Sequence, residues 1–157
     1  AGGYRESLIA GEEPELCLRL RRGGWQIWRI DAEMTLHDAQ MQYFGQWWRR
    51  SRRAGHAFAE GAALHGAGPE RHWVAETRRA LFWGAALPAG IIIAGLVNPL
   101  LMIAILIYPA QFLRLASRMG YTQALFAVIG KFAEAAGAAE FYWRRWRGRA
   151  RGILEYK

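Results

Sequence analysis

The hydropathy pattern of the chain is dominated by one long run without a charged residue, from Ala80 to Leu113. A single straight helix over this run would be roughly 50 Å long, at about 1.5 Å per residue, which exceeds a hydrocarbon core of about 30 Å. Asn98-Pro99 divides the run into halves of about 17 residues, each close to the lower limit for crossing a membrane. The pattern therefore predicts two apolar helices joined at Asn98-Pro99.

The charges that flank this run predict how the two helices are oriented. Arg78 and Arg79 lie before it, Arg114 and Arg118 lie after it, and the turn at Asn98-Pro99 carries no charge. Because positive residues stay on the cytoplasmic side of a membrane, the pattern favours a hairpin with both ends in the cytoplasm. Two alternatives stay open: a re-entrant pair that does not cross completely, and a buried hairpin in the core of a soluble domain.

Helical spacing of apolar residues continues on both sides of the uncharged run. It predicts one helix from Gln40 to about Leu64, and a juxtamembrane helix over Glu70–Arg79. Beyond Gly120 the apolar positions follow helical spacing as far as Trp146, although charged residues interrupt any further span. We expect an amphipathic helix at the membrane surface there, with an imperfect third span as the alternative.

A short amphipathic helix near the N-terminus carries a dense group of carboxylates. Glu12, Glu13 and Glu15 surround Pro14, which suits the first position of a helix because its missing N–H group costs nothing there. Carboxylates at a helix N-terminus are stabilised in the charged form, so such a group stays ionised at neutral pH and can accept a proton. The same placement is common for purely stabilising reasons, and the residues alone leave both interpretations open.

The rest of this segment predicts how the short helix packs. Gly23-Gly24 would end the helix, and its buried face is expected to consist of Leu16, Cys17 and Leu20. As the only cysteine, Cys17 excludes an internal disulfide and fits a reducing compartment. The alternating pattern of Trp25–Asp31 predicts a strand beside the helix.

The formal net charge of +8 comes almost entirely from arginine, since Lys131 and Lys157 are the only lysines. Phosphate groups or an anionic membrane leaflet would explain such a charge, and the long apolar run favours the membrane. Five arginines between Arg144 and Arg151, beside Trp143 and Trp146, would hold the last helix at that leaflet. Arginine with aromatic residues also binds nucleic acid, but no nucleic-acid partner is expected beside a membrane hairpin.

Several motifs in the first part of the chain resemble those of one enzyme family. Gly2–Leu8 reads GGYRESL, Gly11–Leu16 reads GEEPEL and Arg19–Arg21 reads RLR. Together they resemble the acceptor-side segment of family 2 glycosyltransferases, which have the GT-A fold. In that family a GG-aromatic-x-E turn leads to an acidic pair, usually Glu-Asp, whose second member deprotonates the acceptor hydroxyl. The resemblance implies that Glu13 is this base, with Glu in place of the usual Asp, and that Glu12 contacts acceptor hydroxyls.

The resemblance extends into the predicted helix Gln40–Leu64. The segment Gln46-Trp47-Trp48-Arg49-Arg50 resembles the Gln-x-x-Arg-Trp motif of processive family members, with Arg50 where the family has Trp. Gln46, Arg49 and Arg50 would then offset charge on the departing nucleoside diphosphate, because guanidinium groups match phosphate oxygens. Trp47 or Trp48 could supply a stacking surface, although the missing Trp argues against a processive polymerase. A solvated basic face, or one against lipid headgroups, is the alternative.

The histidines divide into one candidate metal ligand and three others. Many GT-A enzymes place a histidine late in the domain as a ligand to the divalent ion, and the resemblance implies this role for His37, with Mg²⁺ or Mn²⁺ in the full-length protein. A structural role for His37 is the alternative. The other three lack metal-ligand spacing and are predicted to be surface or interfacial residues: His56, His65 and His72.

The predicted fold class is mostly α, a C-terminal fragment of an α/β GT-A catalytic domain followed by a membrane helical hairpin and an amphipathic helix. The resemblance implies that residues 1–69 are the acceptor-side end of the catalytic domain. Residues 70–118 are predicted to form the juxtamembrane helix and transmembrane hairpin, and residues 119–157 the interfacial helix and basic tail. Because Ala1 is neither an initiator Met nor part of a leader, the chain is expected to begin inside a larger protein. The resemblance implies that the nucleotide-binding half of the catalytic domain lies upstream.

The predicted function is that of a membrane-attached inverting glycosyltransferase of the hexosyltransferase type. It would transfer a sugar from a nucleotide-sugar donor to a lipid-linked or cell-envelope glycan acceptor in polysaccharide biosynthesis. The expected location is the inner membrane, with the catalytic part in the cytoplasm, and the fragment alone is expected to be inactive without its donor site. The alternative is a non-catalytic membrane-anchored protein that docks a partner or a lipid.

Overall fold

The computed structural model of the protein describes residues 1–31 and 41–148, and this part of the chain is mostly helical, as predicted. Six α-helices follow one another in it: α1 (Glu12–Arg22), α2 (Phe44–His65), α3 (Val74–Leu81), α4 (Leu87–Val97), α5 (Ile107–Met119) and α6 (Tyr121–Trp146). A π-helical turn, Phe82–Ala86, joins α3 to α4, and a 3₁₀-helix, Pro99–Leu106, precedes α5.

The centre of the fold is the parallel packing of α2 against α6. Near the start of both helices the rings of Trp47 and Phe126 lie 4.8 Å apart between centroids. Further along both helices the rings of His56 and Phe141 lie 5.4 Å apart. Because the contacts advance along α2 and α6 together, the two helices run in the same direction.

Small residues allow these two helices to approach closely. A Cβ atom at Gly55 would overlap the backbone of Glu134, and a Cβ atom at Gly137 would overlap the backbone of Arg52. Ala138 is fully buried in the same interface. Close approach of two helix backbones brings many atoms into van der Waals contact at once, and this contact fixes the relative position of α2 and α6.

Two apolar helices extend from this bundle. One runs over Val74–Val97 through α3, the π-helical turn and α4, and the other runs over Pro99–Met119. Each is long and apolar enough to cross a membrane, and few residues in their most apolar stretches are buried. Asn98 between them has an extended backbone, and its side chain accepts a hydrogen bond from the Leu100 N–H over 3.0 Å. The predicted division at Asn98-Pro99 is confirmed. The length and apolar character of the two helices are weak evidence for membrane association.

Contacts between the two apolar helices make them antiparallel neighbours. Close to the turn, a Cβ atom at Gly95 would overlap the side chain of Met102. Far from the turn, the Tyr108 hydroxyl donates a hydrogen bond to the Trp83 carbonyl over 2.6 Å. Both contacts join positions on either side of Asn98, as in a helical hairpin.

The predicted strand over Trp25–Asp31 is wrong. These residues have no regular secondary structure and are exposed, with relative accessibilities of 68% for Trp25 and 80% for Trp28. A strand needs a neighbouring strand to pair its backbone N–H and C=O groups, and residues 1–31 and 41–148 contain none.

The buried face of α1 also differs from the predicted one. Glu15 and Leu18 are its buried residues, and Pro14 is its third residue rather than its first, because the helix begins at Glu12. The residues expected to be buried are only half-buried: Leu16, Cys17 and Leu20. The helix ends before Gly23-Gly24 as predicted.

The helices predicted from periodicity on either side of the apolar pair are confirmed. The helix predicted from Gln40 to about Leu64 corresponds to α2, which ends one residue later, and the segment after Gly120 forms α6 as one continuous helix of 26 residues. The structure describes the basic tail only as far as Gly148, so the arginines beyond it lie outside the described residues.

Candidate functional site

A buried carboxylate lies at the centre of the N-terminal part of the chain. Glu15 on α1 is only 1% exposed. Its Oε1 atom lies 2.9 Å from His65 Nε2 and 3.3 Å from Arg5 Nε. The guanidinium of Arg19 approaches both carboxylate oxygens, with Nε at 3.0 Å from Oε1 and Nη2 at 2.8 Å from Oε2. Three side chains from separate parts of the chain therefore converge on one carboxylate.

Arg19 extends this cluster to the first residues of the chain. Its Nη2 atom donates to the Gly3 carbonyl over 2.6 Å, and its Nη1 atom donates to the Ala1 carbonyl. Because the same guanidinium also binds Glu15, it fixes the glycine-rich N-terminal segment to the middle of α1.

His65 links α1 to the C-terminal end of α2. Its Nδ1 atom lies 3.3 Å from Arg22 Nη1, and an arginine can only donate, so Nδ1 is the acceptor. The proton of the neutral imidazole is therefore on Nε2, which donates it to Glu15. Arg22 also forms a two-point pair with Glu70, with Nε–Oε1 at 3.2 Å and Nη2–Oε2 at 2.8 Å.

These contacts keep the carboxylates of the cluster ionised. Burial raises the pKa of Glu15, but hydrogen bonds from Arg19 and His65, with the charges of Arg19 and Arg5, outweigh it and hold the pKa below its ordinary value. The paired Arg22 lowers the pKa of Glu70 to about 2. A carboxylate that is buried, ionised and fully engaged is suited to holding α1 in place and not to accepting a proton from a substrate.

The acidic pair implied by the resemblance lies at the open end of the same helix. Glu13 is exposed and Glu12 is half-buried. The residue before them, Gly11, has φ 84°, a backbone conformation that favours glycine. A Cβ atom at Gly11 would also collide with the ring of Trp73. The start of α1 therefore rests on Trp73, and of its first-turn carboxylates Glu13 is exposed and Glu12 is partly accessible.

The residues implied to bind the diphosphate lie in different environments on α2. The Oε1 atom of Gln46 accepts hydrogen bonds from the backbone N–H groups of Gln42 and Tyr43, at 3.0 and 3.2 Å, and so caps the helix. Arg49 lines a cavity, whereas Arg50 is exposed outside it. The structure thus brings only Arg49 of these three residues to a concave surface.

The two tryptophans of this segment contribute to packing. Trp47 lies edge-on against Phe126 of α6, and both Trp47 and Trp48 contact the ring of Phe44, at 5.3 and 6.0 Å between centroids. Both tryptophans are half-buried, so each also presents part of its ring to the surface.

A cavity of about 320 Å³ opens between α2, α6 and the segment before α1. Its lining is strongly basic and consists of Ile9, Arg49, Arg52, Arg53, His56, Glu140 and Arg144. We call it the arginine cavity. Glu140 binds Arg52 at 2.7 Å and Arg144 at 2.5 Å, while Arg53 donates to the Ile9 carbonyl at 2.8 Å. Four guanidinium groups face one carboxylate there.

The arginine cavity and the start of α1 occupy the same part of α2. A Cβ atom at Gly11 would lie 3.6 Å from the Cβ atom of Ala57, which directly follows the cavity residue His56. Ile9, another cavity residue, precedes Gly11 by two positions. The acidic pair, Glu12 and Glu13, and the arginine cavity are therefore near neighbours in the fold.

Of the three histidines predicted to be surface or interfacial residues, two are not at the surface but buried between helices. His56 and His65 are 7% and 9% exposed, because α2 turns one toward α6 and the other toward α1. His72 is half-buried and stacks on Trp73, with centroids 4.4 Å apart. Burial, with the nearby His65, lowers the pKa of His72. The candidate metal ligand His37 lies outside the described residues.

The described part of the chain offers no metal site of its own. Across residues 1–31 and 41–148, no group of three or more His, Cys, Asp or Glu side chains is placed to hold a metal ion. The nearest arrangement on α2 is the buried pair His56 and Glu60, with Nδ1 and Oε2 3.9 Å apart. A divalent ion would need ligands from elsewhere.

Comparison of the chain with family models, with curated proteins and with solved structures finds no match in any of the three. Function is therefore inferred from the residues and their geometry.

The cluster around Glu15 was the main feature that sequence reasoning missed. One signal was available, because Glu15 and Arg19 are four residues apart and such pairs meet on a helix. The same spacing joins Glu140 and Arg144 in the arginine cavity. No signal in the sequence connects Glu15 to His65, which is 50 residues away.

Proposed function

We propose that this chain is the acceptor-side part of a membrane-attached inverting glycosyltransferase. The enzyme would transfer a sugar from a nucleotide-sugar donor to a lipid-linked or cell-envelope glycan acceptor. The observation that carries the proposal is the anchoring of α1 through its buried carboxylate, Glu15, which leaves Glu12 and Glu13 accessible at the N-terminus of a rigidly held helix.

Glu13 is the general base in this proposal. Its carboxylate takes the proton of an acceptor hydroxyl as the oxygen attacks the anomeric carbon of the sugar, opposite the bond to the departing diphosphate. Attack from that side inverts the configuration at the anomeric carbon. A positioned base contributes about 10²–10⁴ in rate. Glu12 contacts acceptor hydroxyls.

The positive surface of α2 offsets the charge that develops on the diphosphate. Gln46, Arg49 and Arg50 were assigned this role by resemblance, and Arg49 has the best support because it lies in the arginine cavity. Gln46 is already engaged in capping α2, so its contribution is indirect, through the position of the helix start. Trp47 and Trp48 present partly exposed rings that a sugar could stack on.

No step of this proposal is assigned to a metal ion, since the described side chains do not form a site for one. The Mg²⁺ or Mn²⁺ expected from the resemblance, and the role of His37, are proposals for a longer protein that includes the nucleotide-binding half. The apolar helix pair would hold that protein in the inner membrane, with the catalytic residues on the cytoplasmic side and near a lipid-linked acceptor.

The proposal is tested by sugar transfer in that longer protein. Replacing Glu13 by Gln removes the base but keeps size and hydrogen bonding, so transfer should be lost while membrane attachment is retained. A non-catalytic docking protein, the alternative from the sequence, predicts that both Glu12 and Glu13 tolerate Gln.

A further inference from the structure

The proposed transfer reaction uses only Arg49 of the arginine cavity, so the other three arginines of its lining have no role assigned in that reaction: Arg52, Arg53 and Arg144. We propose that the arginine cavity is a binding site for a phosphate or diphosphate group, suited to one that belongs to a lipid at the membrane surface. The inference goes beyond the proposed transfer reaction, because binding of the anion needs neither donor nor acceptor. If the proposed function is right, the phosphate would be that of a lipid-linked acceptor.

The lining supplies more positive charge than its own carboxylate can neutralise. Arg52 and Arg144 share Glu140, with Arg52 using Nε and Nη2 and Arg144 using Nη2. Each guanidinium has five N–H donors, so both arginines keep further donors that are not bound to Glu140. The planar fork of a guanidinium matches two oxygens of a phosphate group, which makes phosphate a fitting ligand.

The arginines are also held at a fixed spacing. Arg52 is on α2 and Arg144 is on α6, and the two helices are locked together by the backbone contacts at Gly55 and Gly137. The buried imidazole of His56 forms part of the wall between them. A site whose charged groups are already in position loses little conformational freedom when an anion binds.

The surroundings of the arginine cavity favour a phosphate at a membrane surface. Next to Arg144 on α6, Trp143 and Trp146 are exposed by 52% and 76%, and Arg147 lies over the Trp143 ring at 4.3 Å. Exposed tryptophan combined with arginine is typical of segments that lie among lipid headgroups. A cavity of about 320 Å³ also fits one or two phosphate groups better than an extended nucleic-acid strand.

Calorimetric titration of the detergent-solubilised chain tests this inference with two probes, inorganic diphosphate and dihexanoyl phosphatidic acid. Arg144→Gln should weaken binding by about tenfold, the effect of losing one charged hydrogen bond. The matched control is Arg145→Gln, which removes the same charge from an exposed position outside the cavity and should change binding little. Glu140→Gln removes the opposing carboxylate and should tighten binding.

The two probes distinguish the sources of the phosphate. Tighter binding of phosphatidic acid than of diphosphate assigns the arginine cavity to a lipid headgroup, and the reverse order overturns the lipid part and assigns it to a soluble phosphate. Equal weakening by Arg144→Gln and Arg145→Gln, no tightening by Glu140→Gln, or no binding of either probe overturns the site. Because Glu140→Gln is expected to gain affinity, a folding defect cannot imitate the expected result. Binding of either probe is measured without a nucleotide-sugar donor and without turnover, which separates this test from that of the transfer reaction.

Discussion

Glu15 Oε1 lies 2.9 Å from His65 Nε2, so the first turn of α1 is tied to the last residue of α2 by a buried hydrogen bond. Arg19 and Arg5 also approach the same carboxylate. The start of α1, with the exposed Glu13, therefore has a fixed position relative to α2. The predictions below follow from this arrangement and from the packing that supports it.

Removal of the buried carboxylate should destabilise the fold. Glu15→Ala leaves His65 and Arg19 without their partner, and breaking a buried ion pair from one side costs about 3 kcal/mol when part of the cluster is solvated. Urea unfolding of the chain in detergent measures this change. Glu13→Ala on the same helix is the control and should cost less than about 1 kcal/mol, the value of a charge at a helix N-terminus. Equal losses in both variants would show that Glu15 is not an anchor.

Acidification should weaken the fold in two stages. The pKa of His72 and that of Glu15 both lie below their ordinary values of 6.5 and 4.5. In each case the unfolded chain binds the proton first, so stability is greatest above the ordinary pKa and falls as pH decreases. Thermal unfolding between pH 8 and pH 3, about the range these groups titrate over, should show a decline that begins near 6.5 and steepens below 4.5.

A variant of Glu15 shows whether this carboxylate causes the loss of stability below about pH 4.5. Glu15→Gln cannot release or bind the proton, so its melting temperature should be lower at neutral pH and should change less below about 4.5. An unchanged slope in this variant would assign the acid sensitivity to other groups.

The close approach of α2 and α6 predicts that replacing one glycine of α2 by alanine destabilises the fold, while the same change at another glycine does not. Gly55→Ala places a methyl group on the backbone of Glu134, and such overpacking costs about 1–3 kcal/mol. Gly45→Ala on the same helix meets open space and should be neutral or stabilise by up to about 1 kcal/mol, because alanine favours the helix. Chemical unfolding measures the free energy of unfolding of both variants. Similar values for the two would contradict the backbone contact at Gly55.

Membrane association of the apolar helices can be tested with exposed isoleucines. Ile92 on α4 is 56% exposed and Ile30 near the N-terminus is 63% exposed, so in water a lysine would be tolerated at either position. Within a bilayer a lysine costs about 2.5–3.5 kcal/mol. We therefore expect Ile92→Lys to increase the fraction released from membranes by alkaline carbonate, while Ile30→Lys behaves like the wild type. Equal extraction of both variants would oppose insertion of this helix.

The sequence predicted those features of the fold that depend on local pattern. The uncharged run with Asn98-Pro99 at its centre was sufficient to predict two apolar helices, since charge and a proline are local signals. Periodicity likewise predicted α2 and α6. The segment Trp25–Asp31 has the pattern of a strand but not the structure, because strand formation depends on a partner strand and not on the segment alone.

The site was less predictable because its contacts are non-local. From the sequence, Glu15 is expected to be a surface carboxylate, and only the fold brings His65 and Arg5 beside it. His56 is likewise expected at the surface, but α6 covers it. Arg144 belongs to the arginine cavity only because α6 packs in parallel on α2. Charged residues that face the interior through such pairing do not differ in sequence from those on a solvated helix face.

The most direct test of Glu13 as the base is to measure the rate of sugar transfer by the longer protein that carries Glu13→Gln. We expect a loss of about 10²–10⁴-fold in kcat, the contribution of a general base, with the protein still in the membrane fraction. Glu76→Gln, which removes a surface carboxylate of α3 paired with Arg79, is the control and should transfer sugar at the wild-type rate. Wild-type turnover by Glu13→Gln would contradict the proposed mechanism.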